Sequence, residues 1–305
     1  MPSNQSPLGA LPARFRRPTL LIVGCGDIGM RVVRQLHGRF RITVLSSSGR
    51  HAPALHAIGI RVVRGDLDNA HSLRRVAGLA DRVLHLAPPA SEGWSDTRTR
   101  ALASALRLRA PPQVLVYAST SGVYGDCAGD LVPETRPVRA DTPRARRRAD
   151  AESVVRFLGR SAHVRASILR IPGIYAEDRD GGTPRRRLLA GTAVLRAQDD
   201  VFTNHIHADD LARACIAALW RGRAQRVYNV NDDTELRMGD YFDLAADLYR
   251  LPRPPRIARD AAQAELPLGM MSFMRESRRM DNTRLKEELR LRLRYPTVAD
   301  GLRRS

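Results

Sequence analysis

The feature that most constrains this chain is a six-residue glycine signature, Gly24-Cys25-Gly26-Asp27-Ile28-Gly29, placed directly behind an apolar run from Thr19 to Val23. Alone, a G-x-G-x-x-G triplet is weak evidence. Between a buried strand and the start of a helix it becomes strong, because each glycine then has a physical task. The first allows a tight turn, the second lets the backbone approach a pyrophosphate, and the third lets the helix pack closely on the strand. The helix that follows, read from Ile28 to His37, offers unpaired N–H groups and the positive end of its dipole to a phosphate. Gly24, Gly26, Asp27, Ile28 and Gly29 are therefore candidate dinucleotide-binding residues. Cys25 is a small residue that fits the loop.

The same alternation continues along the chain. Further apolar strands are read at Ile42–Leu45, Arg61–Val63, Arg82–Leu86, Gln113–Tyr117, Val164–Ile171 and Arg226–Val230. Helical patterns occupy Asp209–Trp220, with Asp209 and Asp210 expected to cap it, and Tyr241–Tyr249. Continuous apolar strands alternating with helices predict a parallel sheet covered on both faces. The expected fold is a Rossmann-type, doubly wound α/β sheet with a smaller C-terminal substrate-binding region. A mobile arm is expected over residues 1–17, a dinucleotide-binding domain over 18–174, and a mainly substrate-binding region over 175–305, from which 201–234 returns to the sheet. Residues 178–184 read as the loop where the chain leaves the main sheet.

Composition narrows the function classes. A hydrophobic share of 43% with 27% charged residues is ordinary for a globular protein and excludes disorder and collagen. No apolar run approaches the roughly 18 residues of a membrane span, and the N-terminus lacks the apolar core of a secretory signal. Three scattered cysteines, Cys25, Cys127 and Cys215, have no metal-site spacing and fit a reducing cytoplasm. The net charge is +19, and of 51 basic residues all but Lys286 are arginine. The arginines are dispersed, their runs at 146–148 and 185–187 are short, and aromatic residues make up only 5%. That pattern predicts weak association with polyanions and no specific nucleic-acid partner.

The end of the second strand bears on the cofactor. An NAD-preferring site usually places an acidic residue there to hold the ribose hydroxyls. This chain has Leu45-Ser46-Ser47-Ser48-Gly49-Arg50. Ser46 and Ser47 can donate to a 2′-phosphate and Arg50 can pair with it, which favours NADP over NAD.

Further motifs follow in a fixed order: Gly65-Asp66-Leu67, His85-Leu86-Ala87, Ala118 to Gly125, Leu169 to Tyr175, His205 to Asp210, and Tyr228-Asn229-Val230. In order and spacing they resemble the extended short-chain dehydrogenase/reductases, the NAD-dependent epimerase/dehydratase family, over roughly residues 18–303. The resemblance implies that Asp66 contacts the adenine, with Leu67 beside it. It implies that Leu86 and Ala87 line the cofactor, and that Pro172 and Gly173 lie near the nicotinamide. It also implies a small-molecule substrate, a nucleotide sugar or related carbonyl or alcohol compound, and a homodimer formed through the helices flanking the fifth strand.

The match fails where the family's proton chemistry is done. Thr120 takes the place of the family's Ser/Thr. A Tyr-x-x-x-Lys pair is excluded by the single lysine, Lys286, whose fourth residue upstream is Asn282. Anchoring the helix on Glu152 puts Arg144 at the tyrosine position and Arg148 at the lysine position. An arginine stays charged and cannot pass a proton, whereas a tyrosine can. Arg148 could bind ribose hydroxyls, and Arg144 could polarise a carbonyl electrostatically. Tyr124, Tyr175, His205 and His207 are substitute proton carriers by residue type; each also reads as a core aromatic or a strand-to-helix cap. The resemblance thus implies an atypical NAD(P)-dependent oxidoreductase or epimerase/dehydratase-like protein with weak or altered catalysis at a degenerate active site. A non-catalytic NADP(H)-binding sensor or scaffold is the alternative.

Overall fold

The computed structural model describes residues 17–265, 271 and 274–303. Seven strands build its central sheet: β1 (Thr19–Val23), β2 (Arg41–Ser46), β3 (Arg61–Arg64), β4 (Arg82–His85), β5 (Val114–Thr120), β6 (Arg165–Ile171) and β7 (Arg226–Asn229). Their spatial order is β7-β6-β5-β4-β1-β2-β3, and every neighbouring pair is parallel. The direction of winding reverses between β1 and β4, and the crevice beyond the strand C-termini at that point is where such folds take a ligand.

Alternation along each strand divides the core into two layers. Leu20 and Ile22 of β1 face one side, with Val32, Val33 and Leu36 of α1 (Asp27–Leu36). Leu21 and Val23 face the other, with Leu102 and Leu106 of α2 (Thr97–Leu106) and Val155 and Leu158 of α3 (Pro143–Ser161). Each such aliphatic side chain contributes roughly 1.5–3 kcal/mol by leaving water. The first layer also takes Leu211 and Leu219 of α4 (Ala208–Arg221) and, from near the end of the chain, Leu285, Leu289 and Leu291. A third, smaller core gathers Tyr175, Leu188, Val194, Val298 and Leu302 around α5 (Met238–Tyr249).

Helix starts follow from side-chain caps. Asp96 accepts from the N–H groups of Arg98 and Thr99 at the head of α2, and Thr142 accepts from Ala145 N–H at the head of α3, where Pro143 opens the helix. At α4 the sequence expectation is corrected. Asp209 and Asp210 lie inside the first turn, and a cap must precede it. His207 is the cap, its Nδ1 accepting from Asp209 N–H at 3.2 Å. Asp210 is instead fully buried and accepts from the N–H groups of Arg294 and Tyr295. Apart from Arg17, the arm expected over residues 1–17 lies outside the described residues. Among the described residues, no helix is long and apolar enough to cross a membrane, and no group of three His, Cys, Asp or Glu side chains is arranged to hold a metal ion.

Candidate functional site

The glycine signature sits at the crevice between β1 and β4. Gly24 has φ +84°, and a Cβ there would lie 2.5 Å from the Ala87 nitrogen. Both the left-handed backbone and the close passage of the chain leaving β4 therefore require glycine. Leu86 and Ala87 are held against the loop by N–H bonds to the Val23 carbonyl, 2.8 and 3.1 Å. Gly26 precedes α1, and a Cβ there would meet nothing within 4 Å. That open space, beside the free N–H groups of the first turn formed by Asp27 and Ile28, fits a dinucleotide diphosphate. Gly29 differs from the reading above: its added Cβ would touch Cys25 Sγ at 3.1 Å and the Gly24 carbonyl at 3.4 Å. The third glycine thus packs the helix on its own loop.

Beyond β2 lies a polar hollow of about 600 Å³ lined by Ser47, Arg64, Asp66, His71, Arg74 and Arg75, among others. Ser46 does not line it; its Oγ accepts from Gly49 N–H at 3.1 Å and holds the turn. Arg50 is exposed and is not among the lining residues. The cations of this hollow are Arg64, Arg74 and Arg75, which the sequence reading missed. The available signal was the charged residue directly before Gly65-Asp66. Ser72 Oγ accepts from Asp66 N–H at 2.8 Å, and Leu67 rests partly buried on the second core layer.

The second cavity is a cleft of about 540 Å³ over the C-terminal ends of β5 and β6. It brings together Thr120, Arg144, Pro172, Gly173, Arg179 and His205, with Arg187, Glu276 and Arg278 also on its wall. Register explains the meeting: Thr120 of β5 pairs with Ile171 of β6, and Gly173, two residues on, pairs with His205 in a separate parallel pair of short strands, Gly173–Tyr175 and His205–His207. Thr120 Oγ1 accepts from Gly122 N–H at 3.3 Å, which leaves its hydroxyl hydrogen for a ligand. Arg144 is exposed in the first turn of α3.

Two residues expected in the catalytic group do not reach the cleft. Arg148 NH1 turns onto β5, donating to the Ala118 carbonyl at 2.7 Å and to Tyr117 Oη at 3.1 Å. Tyr124 is fully buried and donates to Asn229 Oδ1 at 2.7 Å. Its ring also lies under the Arg170 guanidinium, 4.5 Å from the centroid. Burial pushes the Tyr124 phenol up from its ordinary value, against the pull of Arg170. Arg170 belongs to a dry ion pair with Glu152 at 2.8 Å, both side chains under 5% exposed, and Ser119 Oγ donates to the same carboxylate. This network lies beneath the cleft and holds α3 to the sheet.

The remaining proton-carrier candidates also separate. Tyr175 lines the cleft, but its hydroxyl donates to the Thr297 carbonyl at 3.2 Å, and burial raises its pKa. His207 is the α4 cap and stacks on Tyr295 at 3.7 Å between centroids. His205 lines the cleft, packs on Tyr241 at 4.2 Å, and its Nδ1 is buried without a partner. Burial lowers its pKa to about 4, so at neutral pH the ring is uncharged and is a weak base.

Residues 20–231 match the model of the NAD dependent epimerase/dehydratase family. A conserved protein of unknown function from Silicibacter pomeroyi is 29% identical, with a TM-score of 0.78 over 94% of this chain and 97% of that one. A UDP-glucose 4-epimerase from Thermotoga maritima, solved with UDP-glucose, is 19% identical with a TM-score of 0.76, covering 93% and 96%. A UDP-glucose 4-epimerase from Thermus thermophilus, solved with NAD, is 20% identical with a TM-score of 0.72, covering 93% and 96%. No curated protein matches the sequence significantly.

Proposed function

The chain belongs to the NAD-dependent epimerase/dehydratase family, and from that premise we propose that it binds NADP(H) in preference to NAD(H) and acts slowly on a carbonyl or alcohol carbon of an anionic substrate such as a nucleotide sugar. The observation that carries this reading is the presence of two features at the C-terminal end of one sheet: the open face above Gly26 and the cleft of Thr120, Pro172 and Gly173. The diphosphate would lie on Gly24, Gly26 and the N–H groups of Asp27 and Ile28, and the adenosine between Leu86-Ala87 and Asp66. Three arginines around Ser47 favour a 2′-phosphate.

When bound, the nicotinamide supplies a hydride donor or acceptor. The chain's own residues do the rest. Thr120 orients a substrate oxygen by a hydrogen bond. Arg144 and Arg187, on a wall where Arg278 is paired with Glu276 at 2.6 Å, attract an anionic group. Of the candidate carriers, Tyr175 and His205 line the cleft, and the Tyr175 hydroxyl is engaged by the Thr297 carbonyl, which leaves His205 to take or return the hydroxyl proton. An imidazole of depressed pKa is a weak base and holds little proton to give at neutral pH, and Arg144 passes none, so turnover is slow. A homodimer through α2 and α3 is supported by Phe157, 56% exposed, in a hollow between those helices.

Calorimetric titration with NADP(H) and NAD(H), followed by NADPH consumption over a carbonyl panel, tests the reading. Tighter NADP(H) binding with slow consumption is expected. Binding without any consumption would favour the sensor, for which the exchange of Tyr for Arg144 is the argument. No binding of either nucleotide would remove the proposal altogether.

A further inference from the structure

Five charges meet at the head of α1, and none was legible as a group. Arg31, with a side chain only 7% exposed, donates through Nε to Asp27 at 3.0 Å and through its two terminal nitrogens to Asp209 and Asp178. Each nitrogen of this guanidinium has its own carboxylate, so Arg31 acts as a rivet joining the glycine helix, the head of α4 and the loop after Tyr175. Arg179, the next residue along that loop, behaves differently. Its NH1 donates to the other oxygen of Asp27 at 2.7 Å, while the side chain lines the cleft and is half-buried. A guanidinium has five N–H donors in a rigid fork, so most of the Arg179 donors remain for something else.

Asp27 makes the arrangement informative. It places a carboxylate in the first turn of the helix whose N–H groups would receive a diphosphate, where a bare negative charge would repel it. The three aspartates and two arginines sum to −1, so a diphosphate arriving there gains nothing from the cluster as a whole. It gains only from a cation that can face it.

We infer that Arg179 is a ligand of the dinucleotide diphosphate, bridging it to Asp27 and closing loop 176–184 over the glycine signature. Asp178, tethered to Arg31, fixes the loop in register; Gly181 at φ +63° and the tightly turned Gly182, whose added Cβ would lie 2.3 Å from the Ala176 carbonyl, shape it so that Arg179 faces inward. This inference rests on the cofactor reading above and adds a residue from the second half of the chain to it.

The test is titration calorimetry of NADP⁺ into the native protein, R179Q and R179K, together with hydrogen exchange of residues 176–184 in the native protein with and without saturating NADP⁺. A charge-assisted bond of this kind is worth roughly 10- to 100-fold in affinity. R179Q is expected to lose that factor, and R179K, which keeps the charge and loses the fork, to lose a smaller one. Exchange in 176–184 is expected to slow on saturation. R179Q binding within twofold of native overturns the inference, as does unchanged exchange. If R179Q does not fold, native-like affinity in R179K overturns it equally. Failure of the native protein to bind any dinucleotide is a separate outcome, which removes the cofactor reading and this inference with it.

Discussion

The head of α1 and the head of α3 lie at the same end of one sheet, yet they keep their fitness for function by different means. At α1 the work falls to backbone: a left-handed Gly24, an open Gly26 and free N–H groups. That backbone geometry coexists with an aspartate at position 27, whose charge Arg31 and Arg179 answer. At α3 the work would fall to side-chain ends, where the sequence reading sets Arg144 and Arg148 in the places of the family's tyrosine and lysine. The helix itself is locked from below by Glu152, Arg170 and Ser119. The contrast teaches that a fold preserves what its backbone does and is indifferent to what its exposed tips do.

Five measurements can break or sharpen that contrast. The largest effect is expected from Glu152→Ala, which strands Arg170 without a counter-charge. Removing one partner of a buried pair typically costs about 3–5 kcal/mol, readable by urea unfolding. A loss under about 1 kcal/mol would mean that α3 is held by something else. Gly24→Ala comes next. A left-handed alanine costs roughly 1–2 kcal/mol, overpacking against Ala87 adds about 1–3 kcal/mol, and dinucleotide binding should vanish in calorimetry.

The double change Arg144→Tyr with Arg148→Lys should raise hydride transfer to a generic carbonyl about 100-fold, the order of acid catalysis, with cofactor affinity held. If stopped-flow rates do not move, proton supply is not what limits this cleft. Gly26→Ala is the gentle counterpart of Gly24→Ala. Its Cβ meets nothing in the protein, so stability should stay within about 1 kcal/mol while affinity falls roughly tenfold, about 1.4 kcal/mol. Equal affinity would show that the diphosphate does not approach there.

The smallest effect is a pH dependence. Burial holds His205 near a pKa of about 4 and His85 near about 3, below the unfolded value of about 6.5. Between those limits the unfolded chain binds more protons than the native one, so stability is present above about pH 6.5 and is lost as pH falls through the folded values. Thermal melts from pH 7 to 4 should show this decline, and His205→Gln should make it shallower. An identical slope would place His205 in a wetter site.

The legible parts share one property: they are local. The strands fall out of apolar runs, and β1 occupies the predicted Thr19–Val23. The glycine turn is written in six consecutive residues. What stayed hidden is set by partners far along the chain. Tyr124 turns inward because Asn229 waits 105 positions later. Arg31 is a rivet because of residues 147 and 178 positions away. Asp209 and Asp210 have cap-like chemistry in sequence, and only the observed start of α4 at Ala208 assigns that task to His207. Arg50 and Arg64 are alike as residues, and the path of the chain alone decides which one lines the polar hollow beyond β2.

Leu285, Leu289 and Leu291 share a core layer with Leu20 and Ile22 of the first strand, and the Asp210 carboxylate, paired with Arg213 on its own helix at 2.6 Å, also accepts from the backbone of Arg294 and Tyr295. This closure has a consequence in time. A ribosome adding roughly 5–20 residues per second makes the glycine turn long before the residues from 285 onward that seal its helix layer. During that interval the apolar side of α1 and α4 is uncovered, and the Asp210 carboxylate lacks its amide partners. The nascent chain therefore passes through an adhesive state, and its yield should depend on how quickly residues 285–295 are delivered and docked.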